Sequence, residues 1–184
     1  MLDRLENIDR ATLIIINRDL SSSAFDLFFP WMTDLHKNIF FSGIFIPLVI
    51  LLTIYVHKKR GALLVLGLVV TIAIDDFIGG KVIKPLFARP RPTLAGLDLI
   101  LRAPEYGGYS FTSNHSANMF CLATFVAFFF PKSSYVFFVL AALTAYSRVY
   151  VGVHYPLDVI GGAALGIGVG WIGGAFTKRK LKWQ

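Results

Sequence analysis

Five apolar stretches limit this chain more than any other feature of it. Residues 39–56, 61–83, 114–130, 135–152 and 156–176 are each rich enough in apolar side chains to cross a bilayer. Eighteen helical residues reach about 27 Å, close to the hydrocarbon thickness. Within lipid each backbone N–H and C=O must find its partner in its own segment, so such stretches are helices. With 55% of its 184 residues hydrophobic, the chain is expected to be an all-α integral membrane protein, a bundle of about five transmembrane helices.

The start of the chain has a different pattern. Leu2, Leu5, Ile8, Thr12 and Ile15 recur at steps of three and four with charges between them, which predicts an amphipathic helix lying along the interface. Residues 25–32, with Phe28, Phe29 and Trp31 around Pro30, form an aromatic interfacial segment. A single unit over 1–184 is expected, with residues 1–35 interfacial and 36–178 forming the transmembrane core. Asp3, Arg4, Glu6, Asp9 and Arg10 precede only a short apolar stretch at 13–16, which is not a signal-peptide layout. The single cysteine, Cys121, excludes an intrachain disulfide.

Basic residues orient the crossings. Residues 57–60, Lys132 and residues 178–182 fall on one side and hold eight Lys or Arg and no acid. That side is expected to be cytoplasmic. The net charge of +7 therefore needs no nucleic acid: much of it is topology signal, and much of the rest gathers at the opposite face.

On that opposite face three polar segments converge. Lys84 to Pro92 carries Lys84, Arg89 and Arg91 among three prolines, a stiff extended strap whose cations suit the oxygens of a tetrahedral anion. Residues 109–116 read as a helix start with Ser113 or Asn114 as N-cap, and N–H groups at such an end bind anions. Ser147 to Asp158 sets Arg148, His154 and Asp158 beside bilayer, where charge is costly. Pro156 suits a first helical turn, so Asp158 would lie within reach of His154, fix its tautomer and leave the other ring nitrogen free. Each segment alone also reads blandly, as a headgroup-touching loop, a plain cap or a helix-start acid.

Together they resemble the type 2 phosphatidic acid phosphatases, whose pattern is K-x6-R-P, then P-S-G-H, then S-R-x5-H-x3-D. Lys84 and Arg91-Pro92 match the first block, and Ser147, Arg148, His154 and Asp158 the third, at the family spacing. In the second block Ser113 and His115 remain, while Thr112 stands for the proline and Asn114 for the glycine. Asn readily adopts a left-handed backbone, so the anion loop is expected to survive.

The resemblance implies hydrolysis of a lipid phosphate, with His154 as nucleophile, Asp158 orienting it and His115 as general acid. Lys84, Arg91, Ser113, Asn114 and Arg148 would hold the phosphate. It also implies a bacterial inner membrane and an active site on the outer, periplasmic face. Lipid A phosphate, phosphatidylglycerol phosphate and undecaprenyl diphosphate are the substrates of its bacterial relatives. No cofactor and no metal are expected, because a two-His, one-carboxylate set among three cations would repel a divalent ion. The alternatives are a lipid-to-lipid phosphotransferase and a non-catalytic anion-binding or transport protein.

Two features lie outside those blocks. Asp75 and Asp76 interrupt the second span; one is expected to face the bundle and pair with a cation, with Asp76 nearer the face of Lys84. Gly162, Gly166, Gly170 and Gly174 form a bare ridge for close packing within the bundle, or for a homodimer seam.

Overall fold

The computed structural model describes residues 2–104 and 107–183. Met1, Glu105, Tyr106 and Gln184 of the expected 1–184 unit lie outside the described residues, as do the side chains of Leu2 and His36. The described residues are all-helical, with no strand among them. The principal helices are α1 (Leu2–Ile14), α2 (Ser23–Thr33), α3 (Ile46–Phe77), α4 (Lys84–Phe87), α5 (Asn114–Ala127), α6 (Pro131–Tyr150) and α7 (Pro156–Leu181).

Two helical runs, Phe41–Leu94 and Pro156–Leu181, are long and apolar enough to cross a membrane. The first is not one rod. At Lys58 the backbone leaves the helical region (φ 53°, ψ −131°), inside the basic stretch 57–60 that separates two predicted spans. The chain doubles back so tightly that a β-carbon on Gly61 would meet the Thr53 carbonyl oxygen at 2.4 Å, which requires glycine there. The arm before the turn buries nothing; the arm after it buries Gly61, Leu64, Thr71 and Asp75.

The second arm packs on α5 and α7, and α5 runs between α6 and α7. The glycine ridge explains the closeness of α5 and α7. β-Carbons on Gly162, Gly166 and Gly170 would meet the carbonyl oxygens of Ser113, Ala117 and Cys121 at 2.5, 2.0 and 2.6 Å, and one on Gly174 would meet the Phe128 ring. All four glycines are buried. The ridge is thus packed against α5 of the same chain, the first of the two uses expected for it. α5 ends at Ala127, short of the expected residue 130, because the chain must leave the helix before Pro131 opens α6.

At one end of the bundle His57, Phe129, Phe130 and Trp183 form an aromatic cluster, with His57 and Trp183 ring centroids 4.9 Å apart. At the other end α1 and α2 close over the α6–α7 connection. The ring of Phe29 on α2 packs tilted against that of Tyr150 with centroids 4.8 Å apart, and Leu13 of α1 packs with Val149, Tyr155 and Val159. Asn17 fixes this corner: its amide nitrogen donates to the carbonyls of Tyr150 (2.8 Å) and Ile100 (2.9 Å), satisfying an orphan acceptor at the end of α6.

The apolar stripe of the N-terminal segment points outward: Leu5 and Ile8 of α1 and Ile15 just beyond it are exposed, and the inward face of α1 carries Asp9 and Leu13. The strap also departs from its expectation of being wholly extended. Lys84–Phe87 is a helical turn that contains Pro85 and continues a π-wound stretch, Ile78–Ile83. The turn closes at Ala88 in a left-handed conformation (φ 46°), and extended backbone resumes by Arg91.

Candidate active site

His154 lies between α6 and α7, 2% exposed. Its Nε2 is 3.3 Å from a guanidinium nitrogen of Arg91, and its Nδ1 is 3.4 Å from Oδ2 of Asp158. A guanidinium nitrogen only donates, so Nε2 is the acceptor and the ring proton belongs on Nδ1, facing the carboxylate. Burial pushes the imidazole down to about 4, the carboxylate of Asp158 pulls it up, and the charges of Arg148 and Arg91 add to the lowering. The free ring at neutral pH is therefore an uncharged base with its lone pair turned toward an arginine.

Asp158 is completely buried in the first turn of α7. Oδ2 accepts the Tyr155 N–H (2.9 Å) and the Ser110 hydroxyl, and Oδ1 accepts from Arg89 (2.7 Å). Positively polarised helix ends favour such a carboxylate. Arg91 is held by the carbonyls of Val153 (3.1 Å) and Gly107 (3.3 Å). Arg148, 1% exposed, donates to Thr33 of α2 at 2.7 Å, and Lys84 donates to the Tyr109 carbonyl at 3.1 Å. Lys84 and His154 each lie within electrostatic reach of Arg91, Arg148 and Asp158.

Ser113 occupies the N-cap of α5, but its hydroxyl does not cap the helix. That Oγ is buried without a hydrogen-bond partner among the described residues, while the Ser113 N–H donates to the Asp158 carbonyl at 3.0 Å. His115 stands two residues on, half-buried in the first turn of α5. A buried base, three cations and an uncommitted hydroxyl are together suited to a phosphoryl group.

The profile of the PAP2 superfamily matches residues 62–182. The chain belongs to that superfamily. The chain is 31% identical over 179 residues to lipid A 4'-phosphatase of Bacteroides thetaiotaomicron, covering 94% of this chain and 78% of the relative. Among solved structures, its fold is similar to the transmembrane PAP2 phosphatidylglycerolphosphate phosphatase of Bacillus subtilis (TM-score 0.72, 25% identity, 96% of this chain and 87% of that one). It is also similar to Aquifex aeolicus LpxE (TM-score 0.68, 26% identity, 89% and 92%). This PAP2 protein is a membrane lipid phosphatase.

The PAP2 blocks do not all meet in the expected way. Asn114 is helical, not left-handed, and its amide turns to Oδ1 of Asp76 at 2.9 Å. Asp76 also accepts from Asn118 (3.3 Å). The hydrogen-bond partners of Asp76 are thus two amides on α5, and Lys84 acts on it only through the electrostatic attraction between the two charges. Asp75 faces the bundle, fully buried. Sequence reasoning missed Ser110, Asp9 and the separate course of Arg89. Each lies outside the family blocks or in a variable position of one, and nothing in the charge pattern of residues 3–10 singles out Asp9.

Proposed function

We propose that this PAP2 protein removes a phosphate group from a membrane lipid, without a metal, through a phosphohistidine on His154 at the outer face of a bacterial inner membrane. The observation that supports it best is the pairing at His154, with Nδ1 toward Asp158 and Nε2 toward Arg91.

In the first step Nε2 attacks phosphorus, forming the N–P bond as the bond from phosphorus to the lipid oxygen breaks. For a monophosphate ester His115 supplies the proton to that oxygen, which leaves as an alcohol, whereas a diphosphate releases a lipid phosphate that needs no proton. Arg91, Arg148 and Lys84 stabilise charge on the equatorial oxygens, and the Ser113 hydroxyl donates to one of them. Asp158 stabilises the cationic phosphoimidazole. In the second step His115, now a base, takes a proton from water; the water oxygen bonds to phosphorus, the N–P bond breaks, and inorganic phosphate leaves. Asn114 takes no part in holding phosphate in this reading, since its side chain belongs to Asp76.

The face assignment has structural support: the basic segments 57–60 and 178–182 flank the aromatic cluster of His57 and Trp183. Five crossings result if α3 counts twice, with α1 lying in the interface, its Leu5 and Ile8 and the following Ile15 toward lipid. Lipid A phosphate, phosphatidylglycerol phosphate and undecaprenyl diphosphate are the substrates to test. The assay is phosphate release from this panel in detergent with excess EDTA, with acid-labile phosphate trapped on the protein and inhibition by vanadate. Activity that vanishes in EDTA and returns with Mg²⁺ or Zn²⁺ refutes the metal-free reading; phosphate appearing only on an added lipid acceptor identifies a transferase.

A further inference from the structure

Of the two arginines in the strap, Arg91 reaches His154 and Arg89 does not. Arg89 lies between two carboxylates, donating to Oδ1 of Asp158 at 2.7 Å and to Oδ2 of Asp9 at 2.6 Å. Its guanidinium stacks 4.0 Å over the Tyr155 ring, which fixes its plane. Its own carbonyl accepts the Ser110 N–H at 2.8 Å, and the Ser110 hydroxyl donates to the other oxygen of Asp158. Arg89 therefore sets both oxygens of Asp158, one directly and one through Ser110.

Asp9 completes the arrangement from α1. Its side chain is fully buried, and its other oxygen accepts the Leu157 N–H at 2.8 Å. Leu157 lies in the first turn of α7, where no helical carbonyl is available to that N–H. Asp9 thus caps the helix that carries Asp158 and also balances the guanidinium that holds Asp158. Without Asp9, the full charge of Arg89 would fall on Asp158 and weaken what Asp158 offers to a cationic ring.

We propose that Asp9 and Arg89 are positioning residues of the reaction: the Asp9–Arg89–Asp158 relay fixes the orientation of Asp158, and through it the Nδ1–H tautomer of His154, making α1 part of the catalytic apparatus. The inference rests on His154 being the nucleophile. Both terminal nitrogens of Arg89 are committed to carboxylates, so the phosphate is left to Arg91, Arg148 and Lys84. The planar fork is essential to the relay, because a lysine offers charge but cannot span two carboxylates edge-on.

The test uses the full chain in detergent with Arg89→Gln, Arg89→Lys and Asp9→Asn. Three quantities are measured: kcat and KM for a lipid monophosphate, the vanadate inhibition constant, and the tautomer of His154 from isotope-labelled histidine spectra assigned with His154→Gln. Partners at this remove from the reacting atom typically change activity about 10- to 100-fold. Arg89→Gln is expected to lose that much in kcat with KM and vanadate inhibition nearly unchanged, and to lose the single Nδ1–H signature. Asp9→Asn, which leaves Arg89 and Asp158 in place, is expected to show the same signature with a smaller loss, and keeps the proposal testable should Arg89→Gln not fold. Arg89→Lys is expected to recover part of the activity. A loss carried by KM or by vanadate affinity overturns the proposal, because Arg89 then binds phosphate. A folded Asp9→Asn or Arg89→Gln with native kcat and tautomer overturns it too, leaving the pair as a tie between α1 and the bundle. Failure of the native protein to release phosphate from any lipid refutes the phosphatase reading alone, since the tautomer still judges the relay.

Discussion

Gly166→Ala tests the packing that carries the site. The new β-carbon would sit 2.0 Å from the Ala117 carbonyl oxygen and 2.9 Å from the Cys121 nitrogen. Both are backbone atoms of α5 and cannot rotate aside, so α7 must retreat by at least about 1 Å. Overpacking against a fixed partner costs about 3 kcal/mol, and the better helix propensity of alanine offsets about 1, leaving a net loss of about 2 kcal/mol. For a chain of this size that lowers Tm by about 4–8 °C. Asp158 rides on the same helix about 12 Å away, and a 1 Å misplacement of catalytic groups costs about 100-fold in rate. Gly168→Ala is the control, because its β-carbon meets nothing within 4 Å. It is expected to keep native activity and to gain slightly in stability. Thermal unfolding in detergent and kcat, measured on both variants, decide the matter. If the two variants behave alike, the close seating of α7 on α5 does not position the site.

Other outcomes rest on the residues of the site. His115→Ala is expected to slow hydrolysis of a lipid monophosphate about 10²- to 10⁴-fold but a diphosphate far less, because a departing phosphate needs no proton; equal losses on both substrates would make His115 a phosphate ligand. Because His154 is held down to about 4 against an ordinary value of 6.5, the unfolded chain binds a proton between those values that the folded chain refuses. The contribution of His154 is therefore full above about pH 6.5 and falls by about 3 kcal/mol as pH drops through 4; His154→Gln should flatten that part of the Tm-against-pH curve, and an unchanged slope would contradict it. Gly107→Cys is exposed with open space around it, and Cys121 is buried. An impermeant thiol reagent applied to intact cells should label Gly107→Cys, and labelling only after lysis would put the site on the cytoplasmic side.

How far the sequence could be read depended on whether the information was local. Apolar length was enough to foresee an all-helical membrane chain, because lipid leaves a backbone no other partner for its polar groups. The break between residues 56 and 61 was also legible: a basic stretch cannot sit in lipid, and Lys58 turns the chain there. Motif spacing set His154 beside Asp158, since residues four apart at a helix start face the same way. Other outcomes were set between segments distant in sequence. Whether the glycine ridge met a second copy or α5 depended on which helix lay beside it. That the Asn114 amide meets Asp76 depended on α5 lying beside α3, which apolar pattern alone does not reveal. Asp9 shows the difference most clearly. In the sequence it is one charge among several on an amphipathic helix, and only the docking of α1 over the start of α7 buries it against Arg89 and Leu157. The local chemistry of the reacting histidine is written in one short stretch of chain, but the carboxylate behind it is held by Arg89 and Ser110 from sixty-nine and forty-eight residues away, and tertiary packing alone brings such distances to hydrogen-bond range.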